Sequence, residues 1–258
     1  MKRILLFIVC CYAVCFASSC HPKLTAQHSV LHQEIKDPRG NPVLLGQWTR
    51  EKLEQAPYDD WWVKNYKAYT IDTATADDLR PKLAGKRFVI FMGTWCGDSR
   101  REVPRMFKIL DYCGVPASSI QLILVNSTDS MYKQSPGHEE RGLNIFRVPD
   151  LLVMDHQQEM GRIVESPVLS LEKDLSEVVG GQPYTPNYKG AGYLIRLFKE
   201  KKPVEIKKDL PGLALTIKPL LSGAGELNSY AHILQGAGEK ERADIVLQLK
   251  TMLYPPEK

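Results

Sequence analysis

The sequence predicts an α/β protein in which a central mixed sheet is flanked by helices. Three short apolar runs have the length and composition of buried strands: residues 87–92, 120–125 and 151–154. Residues 97–112 lie between the first two runs and carry apolar side chains at helical spacing, among them Val103 and Phe107. Alternation of buried strands with such helices is typical of a sheet covered on both faces.

The residues before the first core strand predict an N-terminal extension. Residues 30–45 alternate around a turn signal at 37–41, which indicates a hairpin. Residues 49–67 are rich in aromatic side chains at roughly helical spacing, and we interpret them as a packing face, with a ligand platform as the alternative. A strand at 69–72 and a helix at 74–83 then lead into the core.

The second half of the chain predicts one more strand and a set of helices. Residues 160–164 follow a short turn and are expected to pair antiparallel with 151–154. A linker rich in proline and glycine begins after Gly180, and residues 191–199 have helical spacing. Residues 210–222 are interrupted by prolines and support no assignment.

The C-terminus predicts a helical hairpin, with helices at 226–235 and 240–254. Leu227, Tyr230, Ala231 and Leu234 recur at helical spacing, and the hairpin resembles a single tetratricopeptide unit. One such unit does not form a solenoid, because stacking requires about three. We expect it to pack against the preceding domain, and binding of a peptide or partner is the alternative.

A short motif, Trp95-Cys96-Gly97-Asp98-Ser99, stands between the first core strand and the helix at 97–112. Cys96 is therefore expected at a helix N-terminus. The free amides and the positive end of the helix dipole favour a thiolate there, which makes a cysteine nucleophilic near neutral pH.

The motif and its surroundings resemble the thioredoxin superfamily over residues 86–180. Trp-Cys-Gly follows an apolar strand, and Pro104 lies where thioredoxins kink this helix. Val148-Pro149 precedes the strand at 151–154, as the cis-proline of the family precedes its third core strand. The resemblance implies a thioredoxin-like fold with Cys96, Ser99 and Pro149 as catalytic residues. It also implies that Trp95, Gly97 and Val148 contact the substrate.

Two departures from the family pattern bear on the chemistry. The second cysteine of thioredoxins, which expels the product, is replaced by Ser99, and the buried acidic residue of the preceding strand is replaced by Ile90. A buried carboxylate is costly to keep when it has no proton to transfer, so the two losses belong together. Asp98 and Asp150 are expected to place negative charge near the thiol, with Arg100 and Arg101 partly offsetting Asp98.

No other cysteine is placed to resolve a disulfide on Cys96. Cys113 is expected at the far end of the same helix, about 25 Å away at 1.5 Å per residue. Disulfides require Cα atoms within roughly 7 Å, so we interpret Cys113 as a small buried apolar residue. A cysteine without a partner in the mature domain leaves a single reactive thiol.

The first twenty residues predict a lipoprotein signal peptide. Lys2 and Arg3 precede an apolar run at 4–16 that is too short for a comfortable membrane span. The following Ala-Ser-Ser-Cys ending resembles a bacterial lipobox, which implies lipidation of Cys20 and a membrane-anchored protein in the cell envelope. Cleavage by ordinary signal peptidase near Ala17, giving a secreted or periplasmic soluble protein, is the alternative.

Charge and composition exclude several classes of partner. The net charge of +4 falls to roughly +2 without Lys2 and Arg3, so no nucleic-acid partner is indicated. There is no glycine-rich phosphate loop, and the six histidines show no metal-ligand spacing, so neither a cofactor nor a metal is expected.

The sequence therefore predicts four segments: a signal peptide (1–20), a tether and extension (21–68), a thioredoxin-like domain (69–182) and a C-terminal helical segment (183–258). The expected activity is thiol–disulfide exchange, in which Cys96 forms mixed disulfides with client proteins and an external thiol completes the cycle. A non-catalytic binding or assembly lipoprotein is the alternative. Peroxide detection through a Cys96 sulfenate is a third hypothesis, which lacks a nearby resolving cysteine.

Overall fold

The computed structural model describes residues 31–255 and has an α/β architecture with a six-stranded mixed sheet flanked by helices. The coarse fold prediction is therefore confirmed. The signal-peptide and lipidation predictions, including Cys20, fall on residues outside the described part of the chain. No helix within residues 31–255 is long and apolar enough to cross a membrane.

The sheet has the strand order β1-β2-β4-β3-β5-β6. Its strands are β1 (His32–Lys36), β2 (Pro42–Trp48), β3 (Arg87–Met92), β4 (Ile120–Leu124), β5 (Asp150–Asp155) and β6 (Gln158–Val164). Only β3 and β4 run parallel, and every other neighbouring pair is antiparallel. The predicted N-terminal hairpin and the predicted antiparallel pairing of the last two strands are both confirmed.

The helices cover the sheet and continue beyond it. They are α1 (Arg50–Leu53), α2 (Asp59–Ala68), α3 (Thr73–Leu83), α4 (Gly97–Tyr112), α5 (Leu171–Val179), α6 (Lys189–Glu200), α7 (Pro203–Ile206), α8 (Leu210–Ile217), α9 (Ala224–Gly236) and α10 (Lys240–Leu253). The bounds of α4 match the prediction. Helix α8 forms where no assignment was made, because Pro211 lies in its first turn, where the missing amide breaks no hydrogen bond.

One face of the sheet packs against α2, α3, α4 and α5. Alternate residues of β3 point into this core, including Ile90, which is fully buried. The aromatic extension contributes Trp62, 1% exposed, whose ring centroid lies 5.3 Å from that of Phe107. The packing-face interpretation of the extension is therefore confirmed for Trp62.

The opposite face of the sheet is covered mainly by the irregular chain between β4 and β5. Val89 and Phe91 of β3 pack there with Ile145 and Val148, and Trp95 and Cys96 lie at the edge of this cluster. The C-terminal helices form a further apolar cluster that includes Phe146 and residues of α6, α8, α9 and α10. Phe146 thus joins the C-terminal helices to the chain that carries Val148.

The predicted strand at 69–72 is wrong. Side chains, rather than a neighbouring strand, bind the backbone of this segment: Lys108 donates to the Tyr69 carbonyl at 2.6 Å, and the Asp72 amide donates to Glu172 at 3.2 Å. Asp72 is the N-cap of α3, and its carboxylate accepts from the Thr75 amide. Asp72 therefore serves to begin α3 and does not extend a strand.

Candidate active site around Cys96

Cys96 lies at the N-terminus of α4, as predicted. It is the N-cap residue, with extended backbone, and its carbonyl accepts the first helical hydrogen bond from the Arg100 amide at 3.0 Å. The Cys96 side chain makes no capping hydrogen bond to the first turn. The half-buried thiol thus lies at the end of α4 where the first-turn amides favour negative charge.

The thiol also contacts a residue that is distant in the sequence. Cys96 Sγ lies 3.4 Å from the carbonyl oxygen of Val148, to which the neutral thiol donates. The Val148–Pro149 peptide bond is cis, as predicted, and both residues are buried. The structure thus brings together Cys96, Val148 and Pro149, three of the predicted site residues.

Ser99, which the resemblance implied as a catalytic residue, bonds to the backbone at the end of β3 and not to the thiol. It is fully buried, and its hydroxyl oxygen accepts from the Gly93 amide at 3.2 Å. The hydroxyl therefore fastens the first turn of α4 to the end of β3. The exposed Gly97, which follows Cys96, leaves the approach to the thiol open, because no atom lies within 4 Å of the position its Cβ would occupy.

Trp95 is held rigidly beside the thiol. Its indole Nε1 donates to the Val125 carbonyl at 2.9 Å, at the end of β4. A Cβ on Gly93 would lie 2.4 Å from Trp95 Cε2, so the ring requires a glycine beneath it. The half-buried ring is thus a fixed apolar wall next to Cys96.

A buried lysine, which the sequence analysis did not single out, lies against this ring. Lys133 is 5% exposed, and its Nζ lies 4.2 Å from the Trp95 ring centroid. Burial lowers the pKa of Lys133 to about 8, while the negative charge of Cys96 raises it. A desolvated ammonium group and the thiol therefore belong to one electrostatic site.

Arg147 and Glu165 complete the charged surroundings. Their side chains form an ion pair with an N–O distance of 3.6 Å, and the Arg147 guanidinium lies 4.8 Å from the Tyr188 ring centroid. Burial raises the pKa of Glu165, and the neighbouring Arg147 opposes that rise. The Glu165 amide donates to the Pro149 carbonyl at 2.7 Å, which ties this pair to the cis-proline.

The two aspartates expected near the thiol are each neutralised by an arginine. Asp98 accepts from Arg101 at 2.7 Å, which confirms the expected offset by that residue. Arg100 instead donates to the Thr94 carbonyl. Asp150 is fully buried and accepts a hydrogen bond from Arg162 at 3.1 Å. The positive charge of Arg162 therefore offsets the negative charge of Asp150.

Cys113 lies at the opposite end of α4, as expected. It is the C-cap residue, 5% exposed, with its Sγ 3.5 Å from the Ala76 carbonyl. Burial raises the pKa of this thiol. Cys113 thus packs in the core and takes no part in the site at the N-terminus of the helix.

The site contains no evident place for a metal within the described residues. No group of three or more histidine, cysteine, aspartate or glutamate side chains in 31–255 could hold an ion.

The residues that sequence reasoning missed are Lys133, Arg147 and Glu165. They lie in polar loops, where charged side chains are normally exposed, and no local signal distinguishes them.

Comparisons of the chain with protein-family models, with curated proteins and with solved structures find no match.

Proposed function

We propose that this protein is a thiol–disulfide oxidoreductase or isomerase with a thioredoxin-like fold that acts through a single nucleophilic cysteine. The observation that carries the proposal is the position of Cys96. It is the N-cap residue of α4, and its Sγ lies 3.4 Å from the carbonyl of a residue that precedes a cis-proline.

The architecture supports the thioredoxin-like fold. The Cys96 motif joins β3 to α4, the cis-proline joins the irregular chain to β5, and β3 and β5 are neighbours in the sheet. Phe91 pairs with Asp150 in that ladder, which brings the two motifs to one end of adjacent strands. This arrangement explains how residues about fifty positions apart form one site.

In the proposed first step, the Cys96 thiolate attacks one sulfur of a client disulfide. A bond forms between Cys96 Sγ and that sulfur, the client S–S bond breaks, and the other client sulfur leaves as a thiolate. Deprotonation of Cys96 also removes the hydrogen bond to Val148. The Val148 carbonyl is then free to accept from a backbone amide of the client, which would add a short strand beside the site.

The second step needs a thiol from outside the chain's own active-site motif. Ser99 cannot attack a disulfide, and Cys113 is buried at the far end of α4. Attack by a second client thiol rearranges the client disulfides, which is isomerisation. When an external thiol donor attacks the client sulfur instead, Cys96 leaves and the donor is joined to the client. A second donor thiol then displaces the client, which leaves reduced while the two donor sulfurs form a disulfide; this is net reduction.

The location we propose is the bacterial cell envelope, with the chain lipid-anchored through Cys20. The charged start, apolar run and small residues before Cys20 support this. Disulfide-bearing clients are common in that compartment.

The test is the formation of a covalent adduct by the purified full chain with a peptide that contains one disulfide. Non-reducing mass spectrometry should find a mixed disulfide on Cys96. Cys96→Ala should abolish this adduct, and the matched control Cys113→Ala should leave it unchanged. If the wild-type protein forms no adduct while Cys96 is freely alkylated, the proposal is wrong and the non-catalytic binding role is favoured.

A further inference from the structure

Lys133 is buried without a charged or hydrogen-bonded partner for its side chain. The residue is 5% exposed, its Nζ keeps some contact with solvent, and no ion pair or hydrogen bond within residues 31–255 involves that atom. Instead, the ammonium makes cation–π contacts with two aromatic rings: Nζ lies 4.2 Å from the Trp95 ring centroid and 5.0 Å from that of Tyr132. A lysine is seldom buried in this way unless its charge is used.

The backbone holds Lys133 firmly in this place. Its φ of 57° lies in the left-handed region, which is unfavourable for a residue with a side chain. Two reciprocal bonds of 2.9 Å fix it there: the Lys133 amide donates to the Asn126 carbonyl, and the Asn126 amide donates to the Gln134 carbonyl. Because Trp95 is bound to Val125, adjacent residues at the end of β4 position the indole and the lysine together.

Charged groups from several elements face this lysine. Cys96 at the start of α4 and Glu165 after β6 act on it as negative charges, and Arg147 acts as a positive charge. Asp98 and Arg101 of α4 act on Glu165 in turn. A small cavity next to Lys133 is also lined by further titratable groups: His138, Glu140, Arg141 and Glu239. His232 of α9 stacks on Tyr132.

We propose that the Lys133 ammonium is the counter-charge of the Cys96 thiolate and that it promotes departure of Cys96 from a mixed disulfide. Lys133 is thus a positioning residue that acts through Cys96. The inference rests on the proposed function, which it deepens by assigning the release step. It supplies an electrostatic substitute at a site that has neither the second cysteine nor the buried acid of the dithiol family.

The step balances as a simple exchange. An external thiolate attacks the client sulfur of the mixed disulfide, and a new disulfide forms between these two atoms. The bond between the client sulfur and Cys96 Sγ breaks, and its electron pair passes to Cys96 Sγ. The external sulfur is oxidised and Cys96 is reduced. The ammonium stabilises the charge that develops on Sγ and gives up no proton.

The same arrangement predicts an unusual dependence on pH. Exchange normally accelerates as pH rises, because more of the attacking thiol is ionised. Burial lowers the pKa of Lys133 to about 8, with opposing contributions from Cys96 and Glu165. In the mixed disulfide Cys96 carries no charge and no longer raises this pKa, so the ammonium loses its proton at or below pH 8. The rate constant for attack by the external thiolate, corrected for thiol ionisation, should fall there.

The test measures release of a reporter that is attached chemically, so that it does not depend on client exchange. In a background where the other five of the six cysteines are alanine, a methanethiosulfonate fluorophore forms a mixed disulfide on Cys96. Release by N-acetylcysteine is followed by stopped flow from pH 6 to 10. Lys133→Met should slow release at pH 7 several-fold and should abolish the fall at or below pH 8.

Lys133→Arg keeps the charge and provides a second, independent reading. It should retain the rate at pH 7 and show no fall up to pH 10, because the guanidinium does not lose its proton there. Lys199→Met, an exposed lysine of α6, is the matched control and should behave as wild type. Two outcomes would overturn the inference. In the first, Lys133→Met unfolds thermally as wild type does and has the wild-type release rates and pH profile. In the second, Lys133→Arg still shows the fall in release rate that wild type shows at or below pH 8.

Failure here is distinct from failure of the proposed function. If client peptides form no adduct but release from the chemical adduct depends on Lys133, the electrostatic role stands and client exchange does not. If client adducts form at Cys96 but the release rate is the same in Lys133→Met and wild type, the exchange activity stands and the counter-charge role is wrong.

Discussion

The Gly93 amide donates a hydrogen bond of 3.2 Å to the Ser99 hydroxyl, so the residue in the position of a resolving thiol is attached to the end of β3. Ser99 is also fully buried beneath the first turn of α4. The serine therefore stabilises the turn that presents Cys96. A cysteine at this position differs by one atom and would place a second sulfur in the same turn.

Ser99→Cys should raise the rate of disulfide reduction. Attack by a thiol within the same turn replaces attack by a thiol from solution, and such intramolecular reactions gain orders of magnitude, so we expect an increase of roughly tenfold or more. The measurement is turnover of insulin disulfides with a chemical reductant. Ser99→Ala is the control and should show no increase. A wild-type protein that already matches a dithiol thioredoxin would contradict the single-thiol mechanism.

Cys96 and Cys113 should differ strongly in alkylation. Cys96 is half-buried at an uncapped helix N-terminus, whereas Cys113 is 5% exposed and burial raises its pKa. Cys113 can react only after local opening, so at pH 7 we expect Cys96 to label at least roughly a hundredfold faster. Peptide mass spectrometry after timed iodoacetamide treatment gives both rates. Equal rates in the folded protein, with both sites reactive after denaturation, would refute the assignment.

Gly93→Ala should disturb the wall beside the thiol. The added Cβ would lie 2.4 Å from the Trp95 indole, and overpacking of this kind costs about 1–3 kcal/mol of unfolding free energy. Gly97→Ala is the matched control, since nothing lies within 4 Å of its Cβ and alanine favours a helix. Urea unfolding should separate the two variants. Equal midpoints would mean that the indole moves aside freely.

Asp150 should make the fold less stable as pH rises from about 4 to 6. Burial raises the pKa of Asp150 from its ordinary 3.8 to about 6, although Arg162 opposes the rise. Between these values the folded protein holds a proton that the unfolded chain has released. The unfolding free energy therefore falls through this window, by up to roughly 3 kcal/mol from this residue.

The check is the difference in unfolding free energy between wild type and Asp150→Asn, measured at several pH values. This difference should move in favour of the variant as pH rises from 4 to 6. Asp155→Asn is a control of opposite sign, because the hydrogen bond from Lys86 lowers the pKa of Asp155. Wild type should gain stability relative to that variant as pH rises. If the unfolding free energies of wild type and Asp150→Asn change with pH in parallel, the prediction is wrong.

The local pattern of the sequence was sufficient to predict most of the elements around the site. The apolar run at 87–92 and the helical spacing after Gly97 placed Cys96 at a helix N-terminus, where the structure has it. Such patterns depend on neighbours within a few residues, so they can be read directly. The strand predicted at 69–72 failed because contacts with Lys108 and Glu172, both distant in the sequence, bind that backbone.

The sequence by itself determined that one thiol motif stands at a helix N-terminus, with an adjacent tryptophan, a distant Val-Pro pair and no second cysteine in the motif. Tertiary structure alone decided which charges surround the thiol. Lys133, Arg147 and Glu165 come from chain segments without a periodic pattern, and packing against β4, α4 and the C-terminal helices brings them together. Their burial follows from long-range contacts, which no local pattern encodes, and burial is what gives the Lys133 charge its strength beside Cys96.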